Sequence, residues 1–308
     1  MNIYEDLTPS PQPTAIALGS FDGLHIGHKA VISHVLGQVG LLPGVFTFAN
    51  NPLCDLGGHA GGELMTREQK EQRLAHWGVE VLYLIPFRLV RELSPEAFVV
   101  EVLQNICRAK RVSCGFNFTF GVGGRAGSED LKRLCAAHGI EAIVQPAVLA
   151  DGEPVSSTRI RGLVSRGEVG EAARLLGHPY GYLGPVLHGK RLGRTLGTPT
   201  LNQAVPKSFC LPRFGVYASV VHIGEERFCG VTNVGVRPTV DGHHVSAETW
   251  MPDYHGPELY GKTLQVDLLR FLRPEQKFAS VELLGEQIHR DGEKSRNLFL
   301  QHVSQMQS

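Results

Sequence analysis

The first part of the chain alternates short apolar runs with segments of helical periodicity. Buried strands are predicted at residues 15–18, 44–48, 79–85, 111–115 and 140–148. Helices are predicted between them, at residues 29–39, 66–77, 94–107 and from 128 onward. Strands and helices in this order predict a parallel, doubly wound sheet, whose ligands collect at the carboxyl ends of the strands.

The pattern changes near Tyr180. From there on, the chain consists of short apolar and β-branched segments, which are separated by Gly, Pro and Asp. Strands are predicted at residues 183–187, 216–223, 228–234, 245–250 and 264–271. Such spacing is typical of a barrel or sandwich. Residues 277–301 have helical periodicity, and we expect them to cover the barrel as a terminal helix. The expected fold class is α/β plus β-barrel.

Composition narrows the class of protein without indicating an activity. A chain of 308 residues exceeds the usual single domain, so two domains are expected. Its 30 basic and 30 acidic residues balance, which removes the electrostatic argument for non-specific binding to nucleic acid or anionic membranes. The polar, proline-containing N-terminus and the lack of a long apolar segment predict a cytoplasmic protein. The six cysteines have no metal or redox spacing and are expected to be buried thiols.

The segment from Gly19 to His28 places His25 and His28 three residues apart, in a glycine-rich turn between a strand and a helix. Backbone N–H groups and the helix dipole favour phosphate there, and imidazoles can donate to oxygens that gain charge during transfer. Zinc ligation or an ordinary surface position is the alternative, although no Cys-x-x-Cys accompanies the histidines. The spacing does not match a dinucleotide fingerprint.

Two more segments of the first domain carry candidate chemistry. Residues 115–121 cluster three aromatic rings around Asn117, which suits a flat heteroaromatic ligand, and core packing is an equal alternative. Residues 155–161 open a helix with three hydroxyls and two guanidiniums, a combination that can clamp a triphosphate. A simple helix cap with exposed arginines is the competing interpretation.

A glycine-rich, basic loop at residues 189–202 stands out in the second domain. Its backbone donors, with Lys190 and Arg194, can hold phosphates, although the order of a P-loop is missing. The Thr200 hydroxyl and the Asn202 carbonyl are hard oxygen ligands that suit Mg²⁺. A polar turn with chance Thr and Asn is the alternative.

Glu248 lies in a predicted strand between Ala247 and Thr249. An acid there is either an outward, solvated residue or a base inside the barrel. By alternation it shares a face with Ser246 and Trp250. Transfer of a phosphoryl group to a hydroxyl needs a base within hydrogen-bond reach, so Glu248 is the candidate for that role.

Taken in order, these segments resemble the bacterial bifunctional riboflavin kinase/FMN adenylyltransferase family, also called FAD synthetase. The resemblance extends from about Ala15 to Leu298. In the first half it rests on Gly19–His28, Gly115–Gly121 and Ser156–Arg161. In the second half it rests on Gly184–Gly189, Gly193–Asn202, Gly215–Tyr217, Asn233–Thr239, Glu248, Leu259–Gly261 and Leu272–Arg273.

The resemblance implies a Rossmann-like nucleotidyltransferase domain at residues 1–179 and a riboflavin kinase barrel at residues 180–308. It implies phosphorylation of riboflavin to FMN by ATP and adenylylation of FMN to FAD, with Mg²⁺ as cofactor. The catalytic residues would be Glu248, His25, His28 and Arg161. ATP would be bound by Gly19, Phe21, Asp22, Gly23, Ser156, Ser157, Thr158, Gly189, Lys190, Arg194 and Gly197. Flavin would be bound by Asn117, Phe118 and Phe120, and the metal by Thr200 and Asn202.

The chain departs from the common family pattern at two places. Residues 49–52 read Ala-Asn-Asn-Pro in place of a Glu-Pro-His-Pro type turn, and Thr198 replaces a usual Phe. A monofunctional riboflavin kinase with an inactive first domain, or a flavin-binding regulator without catalysis, would be the alternative functions. The expected partners are riboflavin, FMN, FAD and ATP, without nucleic acid or membrane, and the sequence carries no signal for an oligomeric state.

Overall fold

The computed structural model describes residues 1–49, 61–188, 198–206, 208–239 and 242–307. The chain divides into two compact units. The first comprises Met1–Ala60 and Arg67–Ser157, and the second comprises Gly61–Thr66 and Thr158–Ser308. The domain boundary between residues 179 and 180 stays a prediction. None of the helices in the described ranges is both long and apolar enough to cross a lipid bilayer.

The first unit is built on a six-stranded parallel sheet with the order β1-β4-β3-β2-β5-β6. Its strands are β1 (Asn2–Tyr4), β2 (Thr14–Leu18), β3 (Leu42–Phe48), β4 (Val81–Ile85), β5 (Ala109–Gly115) and β6 (Glu141–Gln145). All residues of β2 and β4 are buried, as expected for strands covered on both faces. The predicted doubly wound sheet is confirmed, and β1 is an additional edge strand that the apolar pattern did not indicate.

Helices of the first unit cover the sheet. They are α1 (Ile26–Ser33), α2 (Arg67–His76), α3 (Pro95–Ala97), which continues into a π-helical segment at Phe98–Ile106, and α4 (Ser128–Ala137). A small hairpin of β7 (Leu149–Ala150) and β8 (Glu153–Pro154) follows β6. The Ser94 hydroxyl accepts a hydrogen bond from the Ala97 N–H at 3.0 Å, so Ser94 caps α3 as expected.

The predicted helix at residues 29–39 is too long at its carboxyl end. Helix α1 ends at Ser33, and Gly37 and Gly40 adopt left-handed φ angles of 66° and 76°. Val39, the last residue of the predicted helix, is fully exposed. The two glycines turn the chain toward β3, a conformation that a continuing helix does not allow.

The second unit is a curled antiparallel sheet with the order β10-β13-β12-β11-β14-β9. Its elements are α5 (Ser157–Arg166), α6 (Val169–Leu176), β9 (Tyr180–Pro185), β10 (Thr200–Ala204), β11 (Gly215–Ile223), β12 (Glu226–Thr239), β13 (Gly242–Trp250), β14 (Thr263–Arg273) and α7 (Val281–Gln307). The expected barrel and terminal helix are confirmed. Helix α7 begins four residues later than predicted, because the Ser280 hydroxyl accepts from the Leu283 N–H and caps it there.

Hydrogen bonds join the two edge strands of this sheet. The Leu187 N–H donates to the Asn202 carbonyl at 2.7 Å, and the Gln203 side chain donates to the Gly184 carbonyl at 2.8 Å. Strand β10 therefore closes the barrel. Strand β10 overlaps the stretch that was predicted to be a loop. The strand was not predicted, because its polar residues do not give a clear alternation of apolar and polar positions.

The two faces of the barrel sheet have different chemistry. On the inner face, the hydroxyls of Ser219, Thr232 and Thr249 form a chain with two contacts of 2.8 Å. Leu201 pairs with Thr249 and packs in an apolar cluster inside the barrel. On the outer face, Trp250 packs against α7. A Cβ at Gly292 of this helix would lie 2.8 Å from the Trp250 ring, so the glycine leaves room for the ring.

All five cysteines within the described ranges are buried free thiols, as expected. Burial raises the pKa of the Cys114 thiol and of the Cys135 thiol to about 12. Cys54 lies outside the described residues. The Cys114 and Cys135 thiols are therefore protonated at neutral pH and pack as small apolar groups.

Candidate functional site

The centre of the parallel sheet brings two of the predicted segments to the same edge. Strands β3 and β4 lie on one side of β2, and β5 and β6 lie on the other. Strands β2 and β5 are parallel neighbours, with Leu18 opposite Cys114. The turn that follows β2 and the aromatic segment that follows β5 therefore start side by side, at the topological switch point where ligands of open α/β sheets bind.

The glycine-rich turn after β2 is held by buried side chains. Phe21, Gly23 and Leu24 have φ angles of 48°, 79° and 42°, which is an uncommon conformation for the two non-glycine residues. Both Phe21 and Leu24 are buried, and the Thr47 hydroxyl donates to the Ser20 carbonyl at 2.9 Å. Packing thus fixes a strained turn, a feature that is concentrated at functional sites.

His25 and His28 form a stacked pair at the start of α1. Their ring centroids are 3.5 Å apart, with 17° between the planes. His25 is the N-cap residue, and its Nδ1 accepts a hydrogen bond from the His28 N–H at 3.2 Å. A Cβ at Gly27 would lie 3.1 Å from the His25 ring, so the glycine leaves room for this imidazole. An accepting Nδ1 places the proton of neutral His25 on Nε2.

His28 is held neutral by its surroundings. Its Nδ1 is buried and has no hydrogen-bond partner among the described residues. Burial, followed by the charges of His25 and Lys70, lowers the pKa of His28 well below the ordinary 6.5. The Lys70 ammonium is also 3.4 Å from the Ser20 carbonyl, so a positive charge lies beside the turn. The site therefore combines the neutral His28 imidazole with a nearby cation, which suits a polyphosphate.

The lowered pKa of His28 predicts a pH-dependent stability. The unfolded chain takes up a proton at His28 below pH 6.5 and the folded chain does not, so the free energy of unfolding falls as pH decreases below 6.5. The slope from this residue reaches at most about 1.4 kcal/mol per pH unit. Urea unfolding of the wild type and of His28→Gln between about pH 5 and pH 7.5 measures it. Equal slopes for the two proteins would contradict the assignment.

The residues predicted to clamp ATP at the start of α5 fall in both units. Ser156 and Ser157 belong to the first unit, where the Ser157 hydroxyl donates to the Asp22 carbonyl at 2.9 Å. The structure thus brings Ser157 to the glycine-rich turn. Thr158 and Arg161 belong to the second unit, in which the Arg161 Nε donates to the Gly62 carbonyl at 2.7 Å. The action of Arg161 on a transition state stays a prediction.

The aromatic segment after β5 is partly core and partly surface. Phe120 is buried against Phe98, and Phe118 stacks on Phe120 with centroids 5.8 Å apart. Asn117 is exposed, and the ring of Phe116 is 51% exposed. Phe116 is not among the residues predicted from sequence, because residues 116, 118 and 120 alternate regularly and the sequence does not show which ring packs in the core. The exposed ring is the one available for stacking.

In the second unit, Glu248 lies in a polar row across three strands. It pairs with Asn202 of β10 on one side and with Asn233 of β12 on the other. Side chains paired in this way have Cβ atoms about 5 Å apart. The row shares the outer face with Trp250, so Glu248 is outside the barrel, and it is only half-buried. Asn233 is not among the site residues predicted from sequence, although it is the first residue of the segment Asn233–Thr239.

Thr200 and Asn202 alternate along β10 and therefore lie on the same face as Glu248. Both are half-buried, and their hydroxyl and amide oxygens form a donor set that suits a hard cation bound together with phosphate and water. Among the described residues, no group of three or more His, Cys, Asp or Glu side chains could hold a metal ion. The other predicted residues of this loop, Gly189, Lys190, Arg194 and Gly197, lie outside the described residues, as do Asn50 and Asn51.

Comparisons with known proteins match both halves of the chain. The family model described as FAD synthetase matches residues 7–159, and the family model described as riboflavin kinase matches residues 176–299. A bifunctional riboflavin kinase/FMN adenylyltransferase from Listeria monocytogenes is 35% identical over 291 residues, which cover 92% of each chain. The protein of the same name from Escherichia coli is 33% identical over 301 residues, which cover 96% of each chain.

A solved structure that matches nearly the whole chain supports the fold. It is the crystal structure of a Streptococcus pneumoniae protein described as a macrolide-efflux protein, with a TM-score of 0.86 and 31% sequence identity. The match covers 96% of this chain and 98% of that chain. The folds of both units are therefore found together in that protein.

Proposed function

The chain belongs to the bifunctional riboflavin kinase/FMN adenylyltransferase family, and we propose that its two activities reside in the two sites described above. As a member, it phosphorylates riboflavin to FMN and adenylylates FMN to FAD, each time with ATP. The observation that carries the two-site assignment is the placement of the stacked histidines at the sheet switch point and of Glu248 in a separate polar row. Both family models match, so neither the monofunctional nor the regulator hypothesis gains support.

The kinase step uses Glu248 as the general base. Its carboxylate takes the proton of the terminal ribityl hydroxyl of riboflavin, and the oxygen attacks the γ-phosphorus of ATP, so that a P–O bond forms to FMN and ADP leaves. Asn202 and Asn233 flank the carboxylate and offer amide groups that can orient the hydroxyl chain. A half-buried strand position keeps Glu248 fixed without excluding the substrate.

The adenylyl step uses the glycine-rich turn and the histidine pair. A phosphate oxygen of FMN attacks the α-phosphorus of ATP, and pyrophosphate leaves. The Nε2–H of His25 and the ring N–H of neutral His28 donate to oxygens that gain charge, together with backbone N–H groups at the start of α1. No covalent enzyme intermediate is needed, so positioning and charge stabilisation supply the rate enhancement.

ATP-dependent kinases and adenylyltransferases usually need a divalent metal, and we propose Mg²⁺ for this chain. Thr200 and Asn202 would hold it in the kinase site, where it would neutralise charge on the phosphates of ATP. The basis is the hard oxygen donor set on one face of β10. Because its relatives are biosynthetic enzymes that use ATP, we further propose that the protein works in the cytoplasm.

Phe116 is proposed to stack on the isoalloxazine ring of FMN. Replacing it with Ala should raise the KM for FMN by about three- to tenfold and leave kcat for FAD formation nearly unchanged, because stacking contributes equally to ground-state and transition-state binding. Steady-state kinetics with FMN as the variable substrate measures this change.

Two variants separate stacking from folding in this experiment. Phe116→Tyr keeps a ring and should retain the wild-type KM. Phe120→Ala should instead lower the free energy of unfolding by about 3–5 kcal/mol, because Phe120 is buried in the core. An unchanged KM in Phe116→Ala would remove Phe116 from the flavin site.

A single time course tests the proposed function. The purified protein is incubated with riboflavin, ATP and Mg²⁺, and the flavins are separated by chromatography. FMN should appear first and FAD should follow. FMN that accumulates without FAD would show that the first unit does not adenylylate, and a lack of both products would overturn the enzyme assignment.

A further inference from the structure

A second acidic residue contacts the polar row of the kinase unit. Glu275 lies two residues after the end of β14, and its Oε1 accepts a hydrogen bond from the Asn233 side-chain Nδ2 at 3.0 Å. Asn233 is the residue that pairs with Glu248 across β12 and β13. Glu275 therefore acts on the row through Asn233, and it is itself exposed.

The backbone leaves a place for this carboxylate. Gly235 is two residues beyond Asn233 on the same face of β12, and a Cβ at this position would lie 2.9 Å from the Glu275 Cδ. Any side chain at residue 235 would therefore displace the Glu275 carboxyl group. The glycine is needed here for close approach and not for its φ angle, since its φ lies outside the left-handed region.

The bond to Glu275 fixes the orientation of the Asn233 amide. An ionised carboxylate only accepts hydrogen bonds, so the NH₂ group of Asn233 faces Glu275 and Oδ1 of Asn233 faces away from Glu275. Oδ1 is buried and has no hydrogen-bond partner among the described residues. A buried acceptor without a partner costs free energy, and a ligand that supplies a donor removes this cost. The residue next to Asn233 in the row is Glu248, so such a ligand would lie beside the proposed base.

We propose that Glu275 is a positioning residue for riboflavin phosphorylation, because it orients Asn233 so that Oδ1 accepts a hydrogen bond from a ribityl hydroxyl of the substrate. The ligand class is a polyhydroxylated chain, whose hydroxyls can donate to Asn233 and to Glu248 at once. This inference rests on the proposed assignment of the kinase site to the Glu248 row. It assigns Asn233 to substrate binding and Glu275 to the support of Asn233.

The test measures the KM for riboflavin in FMN formation. Glu275→Ala should raise this KM by about five- to tenfold and change kcat by less than about twofold, because the lost bond contributes mainly to binding. Gly235→Ala should give the same change, since it displaces the carboxyl group without removing it. Glu275→Gln keeps an acceptor oxygen but adds a donor, so it selects the orientation of Asn233 less strongly and should raise the KM by less than Glu275→Ala does.

Two controls make the outcomes distinguishable. FAD formation from supplied FMN should be unchanged in all three variants, and a nearly unchanged kcat for FMN formation shows that the mutated unit is folded. A KM within about twofold of the wild type in Glu275→Ala would overturn the inference, as would equal increases in Glu275→Ala and Glu275→Gln. If Glu248→Gln kept FMN formation, the kinase site itself would be misplaced, which is a different failure.

Discussion

Replacing Glu248 with Gln should lower kcat for FMN formation by about 10³-fold, within the range that general-base catalysis contributes. Gln has the size and hydrogen-bonding groups to stay between Asn202 and Asn233, so the polar row is retained and only the base is lost. FAD formation from supplied FMN should remain within about twofold of the wild type, because the histidine pair belongs to the other unit.

Initial rates of the two half-reactions, measured separately, check this prediction. Glu226→Gln is the matched control, because Glu226 is an exposed acid at the start of β12, and it should leave both rates unchanged. A joint loss of both activities in a folded Glu248→Gln protein would show that the two sites are not independent. Retained FMN formation would mean that another group accepts the proton.

His25→Asn should lower kcat for FAD formation from FMN by about 10²- to 10³-fold, the usual cost of removing one donor to a developing charge. Asn is among the best N-cap residues, so its side-chain oxygen can replace Nδ1 of His25 as acceptor for the His28 N–H. The substitution thus removes the Nε2–H donor and keeps the helix start, and riboflavin phosphorylation should be unaffected.

A second substitution at the same position separates catalysis from capping. His25→Ala should lose the same activity and in addition about 1 kcal/mol of stability, because the cap is lost as well. His76→Asn, an exposed residue at the end of α2, serves as the matched control for the change of side chain. If His25→Asn retained FAD formation and only His25→Ala lost it, the imidazole would be a structural cap and not a catalytic donor.

Residues of the proposed sites could be selected from sequence where local chemistry marks them. The glycine-rich turn with His25 and His28 was identifiable because it lies between a strongly apolar strand and a helix. Glu248 was identifiable because an acid in an apolar strand is unusual. Phe116 and Asn233 enter the proposal only through the structure. In the sequence, Phe116 does not differ from the neighbouring aromatic residues, and Asn233 is an ordinary polar residue in a strand.

The sequence by itself determined the kinds of element, their order and the two-part architecture, because apolar periodicity, caps and glycines act over a few residues. Only the tertiary structure decided which strands are neighbours. It placed β2 beside β5, and it placed Glu248 outside the barrel between two asparagines. It also lowered the pKa of His28 through burial. Strand pairing and desolvation depend on contacts between residues far apart in the chain, and a local pattern does not contain them.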